Sequence, residues 1–179
     1  MSAKPLTLAV TVSPTSRPYN TTTAVSLAAT SASNLTGIIN NDVVGTDDTK
    51  LSASITTADV ATNKAVTVIV ASGYLTGTHA GNYLLPTVTG SPVLTVTQTS
   101  QAGLSWTSVL STVFGQNITL SATGGSGTGA LSFATTSGPC TVSSSIVTPT
   151  SVGTCVVVVT RAGDTNYTAQ TLSGNVSIG

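Results

Sequence analysis

Apolar residues recur at every second position in short runs along the chain. Leu6, Leu8, Val10 and Val12 alternate with Thr7, Ala9 and Thr11, and Val25, Leu27 and Ala29 follow. Leu51, Ala53 and Ile55 make the next run, then Val66, Val68 and Val70, then Leu94 and Val96. Beyond residue 100 the texture resumes with Ile118, Leu120 and Ala122, then Leu131 and Phe133, Cys155, Val157 and Val159, and finally Val176 and Ile178. A period of two sends alternate side chains to one face, the pattern of a strand with one side buried. Gly, Pro, Asn, Asp or Ser bounds each run, as turns require. No segment repeats apolar residues at i, i+3, i+4 and i+7 over a helical length. The one candidate helical turn lies near residues 57–63, where Ala58 and Ala61 sit among breakers. The expected class is all-β, and strands spaced by roughly 8 to 15 residues point to a sandwich or barrel.

A repeat divides the chain. Tyr19-Asn20 leads to Ser26-Leu27-Ala28-Ala29-Thr30, as Phe114-Gly115 leads to Thr119-Leu120-Ser121-Ala122-Thr123. An Asn-Tyr pair precedes the last strand of each half, at Asn82-Tyr83 and at Asn166-Tyr167. These correspondences predict two related sandwiches in tandem, residues 1–98 and 99–179, joined by the short connector Gln98-Thr99-Ser100-Gln101. A connector this short, without Pro or a run of Gly, favours an extended arrangement over freely tumbling beads. The start, Met1-Ser2-Ala3-Lys4-Pro5, lacks a charged segment followed by an unbroken apolar one and reads as a piece of a longer protein.

Composition narrows the functional classes. The 179 residues include 5 Lys and Arg, 5 acids and 1 His, so net charge is zero and only 6% of residues are charged. All the acids are aspartate, at 42, 47, 48, 59 and 164, which leaves few parts for acid-base or metal chemistry. With 40% apolar residues the chain has the means to fold despite its low charge. No basic cluster offers a footprint for nucleic acid or anionic lipid, and no apolar run approaches the roughly 18 residues of a membrane span. The expectation is a non-enzyme with neither nucleic-acid partner nor membrane insertion.

The first half resembles a bacterial surface-repeat module named for a Tyr-Asp-Gly signature. Tyr19-Asn20-Thr21-Thr22-Thr23 stands where that family reads Y-D-G-T-T, and Gly77-Thr78-His79-Ala80-Gly81-Asn82-Tyr83 resembles its G-x-D-A-G-N-Y. The likeness spans roughly residues 4–97. It departs from the family where Asn20-Thr21 replaces Asp-Gly and where His79 replaces the loop acid. The second half, over about residues 102–179, is similar to bacterial Ig-like repeats of the Big type. Ala122-Thr123-Gly124-Gly125-Ser126-Gly127-Thr128-Gly129, Gly153-Thr154-Cys155 and Ala162-Gly163-Asp164-Thr165-Asn166-Tyr167 carry that likeness. Both resemblances imply Ig-like β-sandwiches repeated along secreted or cell-surface proteins, often adhesins, with no shared catalytic site.

Candidate chemistry is sparse. Cys140 and Cys155 lack the further ligands of a closed zinc site, and a disulfide between them, rather than two buried thiols, would place the protein outside a reducing cytosol. Asp42, Asp47 and Asp48 in the loop Asn40-Asn41-Asp42-Val43-Val44-Gly45-Thr46-Asp47-Asp48 form a weak calcium candidate whose spacing fits no calcium loop, so a solvated turn is the plainer reading. The Gly124 to Gly129 segment lacks the lysine and following helix of a phosphate cradle and reads as a turn. His79 reads as a loop residue. Trp106 with Tyr74, or Tyr83 or Tyr167, could stack on a sugar, although a core or interdomain role suits Trp106 better.

In the run from Thr154 to Thr160, Cys155, Val157 and Val159 would face the core and leave Val156 and Val158 outside, a potential contact with a neighbouring domain or subunit. The expected function is a spacer in the stalk of a bacterial extracellular adhesin, its partners being neighbouring domains of the same protein or copies of itself. A filament subunit that shares strands with its neighbours is the alternative, and a glycan-binding module the second.

Overall fold

A computed structural model describes residues 2–39 and 41–179 of the chain. The fold is all-β, and the chain divides into two compact units, Met1–Thr97 and Gln98–Gly179.

The first unit is built from short strands: β1 (Thr7–Ala9), β2 (Ser16–Pro18), β3 (Leu35–Thr36), β4 (Gly45–Thr46), β5 (Leu51–Ser54), β6 (Ala61–Ala65), β7 (Thr67–Val70), β8 (Leu75–Thr76), β9 (Thr87–Thr89) and β10 (Val93–Thr97). They assemble into small sheets, β3-β1-β9, β2-β10-β6, β4-β8 and β5-β7. The two connections that close the unit are parallel. Leu8 pairs with Val88 between β1 and β9, and Arg17 pairs with Val96 between β2 and β10. Alternation decides what is buried: Leu6, Leu8 and Val10 pack with Leu35, Val44, Tyr74 and Tyr83, while Val12 packs with Ile55, Val66, Leu94 and Val96. Val68 touches both clusters and joins them.

Residues 57–63 form no helix. They loop into β6, and Lys64 holds that loop by donating to Thr57 Oγ1 at 3.0 Å and to the Asp59 carbonyl at 2.7 Å. Single 3-10 turns occur instead at Ala32–Asn34, Asp48–Lys50 and Ala80–Asn82, each among the Ser, Asn, Asp and Gly residues that favour local bonds over helix extension.

The second unit comprises β11 (Leu104–Trp106), β12 (Ser111–Thr112), β13 (Ile118–Thr119), β14 (Ala122–Gly124), β15 (Leu131–Ser137), β16 (Cys140–Ser143), β17 (Ile146–Pro149), β18 (Gly153–Arg161) and β19 (Gln170–Ile178). One sheet runs β12-β19-β18-β15, another β13-β17-β16, and β11 pairs with β14. Between them lie Leu120, Cys140, Val147, Cys155, Val157, Val176 and Ile178. Burying each of the valines contributes roughly 1.5–3 kcal/mol. Val156 and Val158 emerge half-buried on the opposite face of β18, as strand periodicity requires. Cys140 and Cys155 form a disulfide with a Cα–Cα distance of 5.8 Å, tying β16 of one sheet to β18 of the other.

Residues 98–101 are not a free connector. The Gln98 amide donates to the Asp164 carbonyl at 2.7 Å, Thr99 pairs with Tyr167, and Gln101 is only 6% exposed, so this stretch is the opening segment of the second unit.

Candidate functional site

Charged side chains in both units bond to loops of their own unit. In the first, the Arg17 guanidinium on β2 spans the turn that follows Tyr19. It donates to the Ala24 carbonyl at 2.8 Å, the Thr22 carbonyl at 2.5 Å and Thr22 Oγ1 at 3.1 Å. Asn20 Oδ1 accepts from the Thr22 amide at 3.2 Å, so asparagine closes the turn in the way an aspartate would. This binding of a polar loop by a planar fork of donors is what arginine does well.

The acidic loop is organised by two tyrosines. Tyr83 donates its hydroxyl to Asp42 Oδ2 at 2.6 Å and accepts from the Ile39 amide at 2.9 Å. The bond to Asp42, made by the neutral phenol, holds the Tyr83 pKa above its ordinary value. His79 Nδ1 accepts from the Val43 amide at 2.8 Å, and the His79 amide donates back to the Val43 carbonyl at 3.1 Å. The same ring nitrogen lies 4.0 Å from Asp42 Oδ1. Tyr74 is wholly buried, with its hydroxyl 2.7 Å from Thr30 Oγ1, which in turn donates to Asp48 Oδ1. Since the threonine proton goes to the carboxylate, Tyr74 is the donor, and its burial raises its pKa. Asp47 accepts from the side chain and amide of Thr49, and these bonds lower its pKa.

A comparable arrangement holds the glycine-rich loop of the second unit. Arg161, the last residue of β18, donates to the Gly124 carbonyl at 2.9 Å and to the Gly129 carbonyl at 2.6 Å. Asp164 Oδ2 takes the Thr128 amide at 2.8 Å, while Oδ1 takes the Asn166 and Tyr167 amides at 2.9 Å each. The Thr128 amide above all, then that of Asn166, stabilises the carboxylate and lowers its pKa. Gln101 completes the set: its amide nitrogen donates to the Ala162 and Thr168 carbonyls, and its oxygen accepts from the Gly127 amide. The loop glycines are needed here. A side chain at Gly124, where φ is +101°, would run into the Gly103 carbonyl, and one at Gly129 into that of Ala162.

Asp42, Asp47 and Asp48 do not converge, each serving a different partner, and among the described residues no group of three or more His, Cys, Asp and Glu could hold a metal ion. Asn40 of that loop lies outside the described residues. Of the aromatic candidates, Tyr74 and Tyr83 are core residues at 0% and 6% exposure and offer no face to a sugar. Trp106 lies over Gly174, donates its indole N–H to the Ser173 carbonyl at 3.2 Å, and has Phe133 at a centroid distance of 6.1 Å. Tyr167 is half-buried. His79 proves more than a loop residue, because its ring fixes the Val43 amide.

The two Asn-Tyr pairs occupy equivalent places. Tyr83 forms a parallel bridge with Lys4, as Tyr167 does with Thr99. The Lys4 amide donates to the Asn82 carbonyl and accepts, through its own carbonyl, the Leu84 amide. Thr99 repeats the pattern with Asn166 and Thr168. No curated protein matches the chain. The family model of the YDG domain does match, over residues 2–90, and the first unit therefore contains a YDG domain.

Proposed function

We propose that the protein is a non-catalytic spacer from a bacterial extracellular or cell-surface protein, the stalk of an adhesin, built from Ig-like sandwiches in tandem with a Big-type repeat in the second unit. The observation that carries this reading is the use made of charge. Arg17, Lys64, Arg161, Asp42, Asp48 and Asp164 are each bonded to groups of their own unit, and most of those partners are backbone atoms or hydroxyls of loops. Side chains placed in this way keep a module in shape. The YDG domain at residues 2–90 supports the reading, as does the order of the second unit, in which a four-stranded sheet faces a smaller one across a core with an inter-sheet disulfide. A disulfide is also suited to an oxidising compartment.

The reading is tested by protease shaving of intact cells that carry the parent protein. Release of peptides from residues 1–179 with Cys140 and Cys155 oxidised is expected. Recovery of both cysteines reduced, in the cytosolic fraction only, would overturn it. Size-exclusion chromatography should show a monomer at all concentrations, whereas fibres would favour the strand-sharing filament.

A further inference from the structure

We infer that each unit is a force-bearing clamp, in which tension applied along the chain is carried in shear by parallel pairing between the segments that open and close the unit. Strand direction decides how a module carries tension. When the opening and closing strands of a module are antiparallel, the points where the chain enters and leaves lie at the same end of the pair, and tension peels the hydrogen bonds one at a time. When they are parallel, those points lie at opposite ends, and tension slides one strand along the other so that the bonds are loaded together.

In the first unit the pairing is parallel at three successive places: the Lys4 bridge to Tyr83, β1 with β9, and β2 with β10. Backbone bonds from the Leu84 amide to Lys4, the Thr87 amide to Leu6, the Thr95 amide to Thr15 and the Tyr19 amide to Thr97 run along this seam at 2.8 to 3.0 Å. The second unit uses the same device. Thr99 bridges Tyr167 in parallel, and β12 pairs in parallel with the end of β19. There the Ser177 amide donates to Leu110, the Gly179 amide to Thr112, and the Phe114 amide to Gly179. Behind this clamp the disulfide ties β16 to β18, so once β12 and β19 have slid apart the residues between Cys140 and Cys155 cannot extend.

The inference rests on the spacer reading for its purpose, since only a module within a tethered protein is put under tension, but its geometry can be tested independently. The measurement is single-molecule pulling of the full chain in two directions. Attachment at residues 2 and 179 loads the parallel seams. Attachment at residues 152 and 179 loads one end of the antiparallel pair β18 and β19, where Gly153 faces Ile178. Unfolding of the second unit is expected to need about twofold more force or greater in the first geometry, since forced unfolding reports the barrier to breaking the loaded bonds. Equal forces in both geometries would overturn the clamp.

Phe114→Pro removes the donor to Gly179, and because Phe114 is 58% exposed the change costs little packing. It should lower the end-to-end force and leave the peeling force as it was, with Phe114→Ala unchanged in both. An end-to-end force unaffected by the proline would also overturn the clamp. If the proline variant does not fold, the two pulling directions on the unaltered protein still decide. Reduction should lengthen the second unit's extension by about 45 Å, from the 15-residue separation of the cysteines at roughly 3.3–3.6 Å per residue, less their 5.8 Å spacing. A protein found only in reducing cytosol but still direction-dependent would sink the surface-stalk reading and leave the clamp standing.

Discussion

At the scale of the residue, scarce charge acts through hydrogen bonds to neutral groups, and each such residue can be tested singly. Asp164 accepts amide protons from Thr128, Asn166 and Tyr167, so its folded-state pKa lies below its ordinary 3.8. Near pH 4 the unfolded chain therefore binds the proton more readily than the native one. The contribution to stability is complete above the unfolded value and is lost as pH falls through the depressed native value. Denaturation followed by fluorescence of Trp106, the sole tryptophan, isolates the second unit. Its midpoint should fall as pH drops below the ordinary 3.8 toward the lowered native value, and Asp164→Asn should lower the midpoint at neutral pH while flattening that fall. Gln101 gives a pH-independent counterpart. Removing its buried amide strands the Ala162 and Thr168 carbonyls and the Gly127 amide, so Gln101→Ala should destabilise the same transition by about 1–3 kcal/mol. A loss indistinguishable from zero would mean that water replaces the amide freely.

At the scale of the element, alternation alone located most of the core. Leu6, Leu8, Val10 and Val12, and Cys155, Val157 and Val159, are buried because a strand with one covered face admits no other register. The loop clamps were out of reach of such reasoning. Arg161 meets Gly124 and Gly129 across more than thirty residues of chain, and only the closure of β18 on β15 brings them together. Gln101 was hidden for a related reason: a polar residue in a short polar stretch reads as connector until its partners are known. The burial of Tyr74 and Tyr83 depends on partners for their hydroxyls, and those partners, Thr30 and Asp42, come from segments more than forty residues away that no local pattern connects. The glycine-rich loop can be tested at this scale by comparing two left-handed glycines. Gly124→Ala combines φ of +101° with collision against the Gly103 carbonyl, whereas Gly115, at φ of +85°, has open space where a Cβ would lie. Gly115→Ala should cost about 1–2 kcal/mol from backbone strain alone, and Gly124→Ala measurably more. Equal costs would show that the β11 and β14 pair yields without penalty.

At the scale of the whole molecule, a net charge of zero and charged groups bonded to amides, carbonyls and hydroxyls lead to a specific expectation about salt. Screening weakens interactions between exposed charges over roughly 8–10 Å at 0.1–0.15 M ionic strength, yet it acts weakly on a short bond between an ion and a backbone dipole. His79 Nδ1, 4.0 Å from Asp42 Oδ1, accepts from the Val43 amide and so forms no ion pair with that carboxylate. Unfolding midpoints of both units should therefore stay nearly constant as sodium chloride rises from low concentration to about 0.5 M, with at most a small gain from general salting-out. The disulfide sets the opposite limit. Its reduction should destabilise the second unit by on the order of 3 kcal/mol on the chain-entropy estimate for a loop of about 15 residues, while the first unit, which has no cysteine, keeps its midpoint. A strong salt dependence would mean that charge holds this fold through long-range pairing, and the account of charged side chains as local fasteners of loops would have to be abandoned.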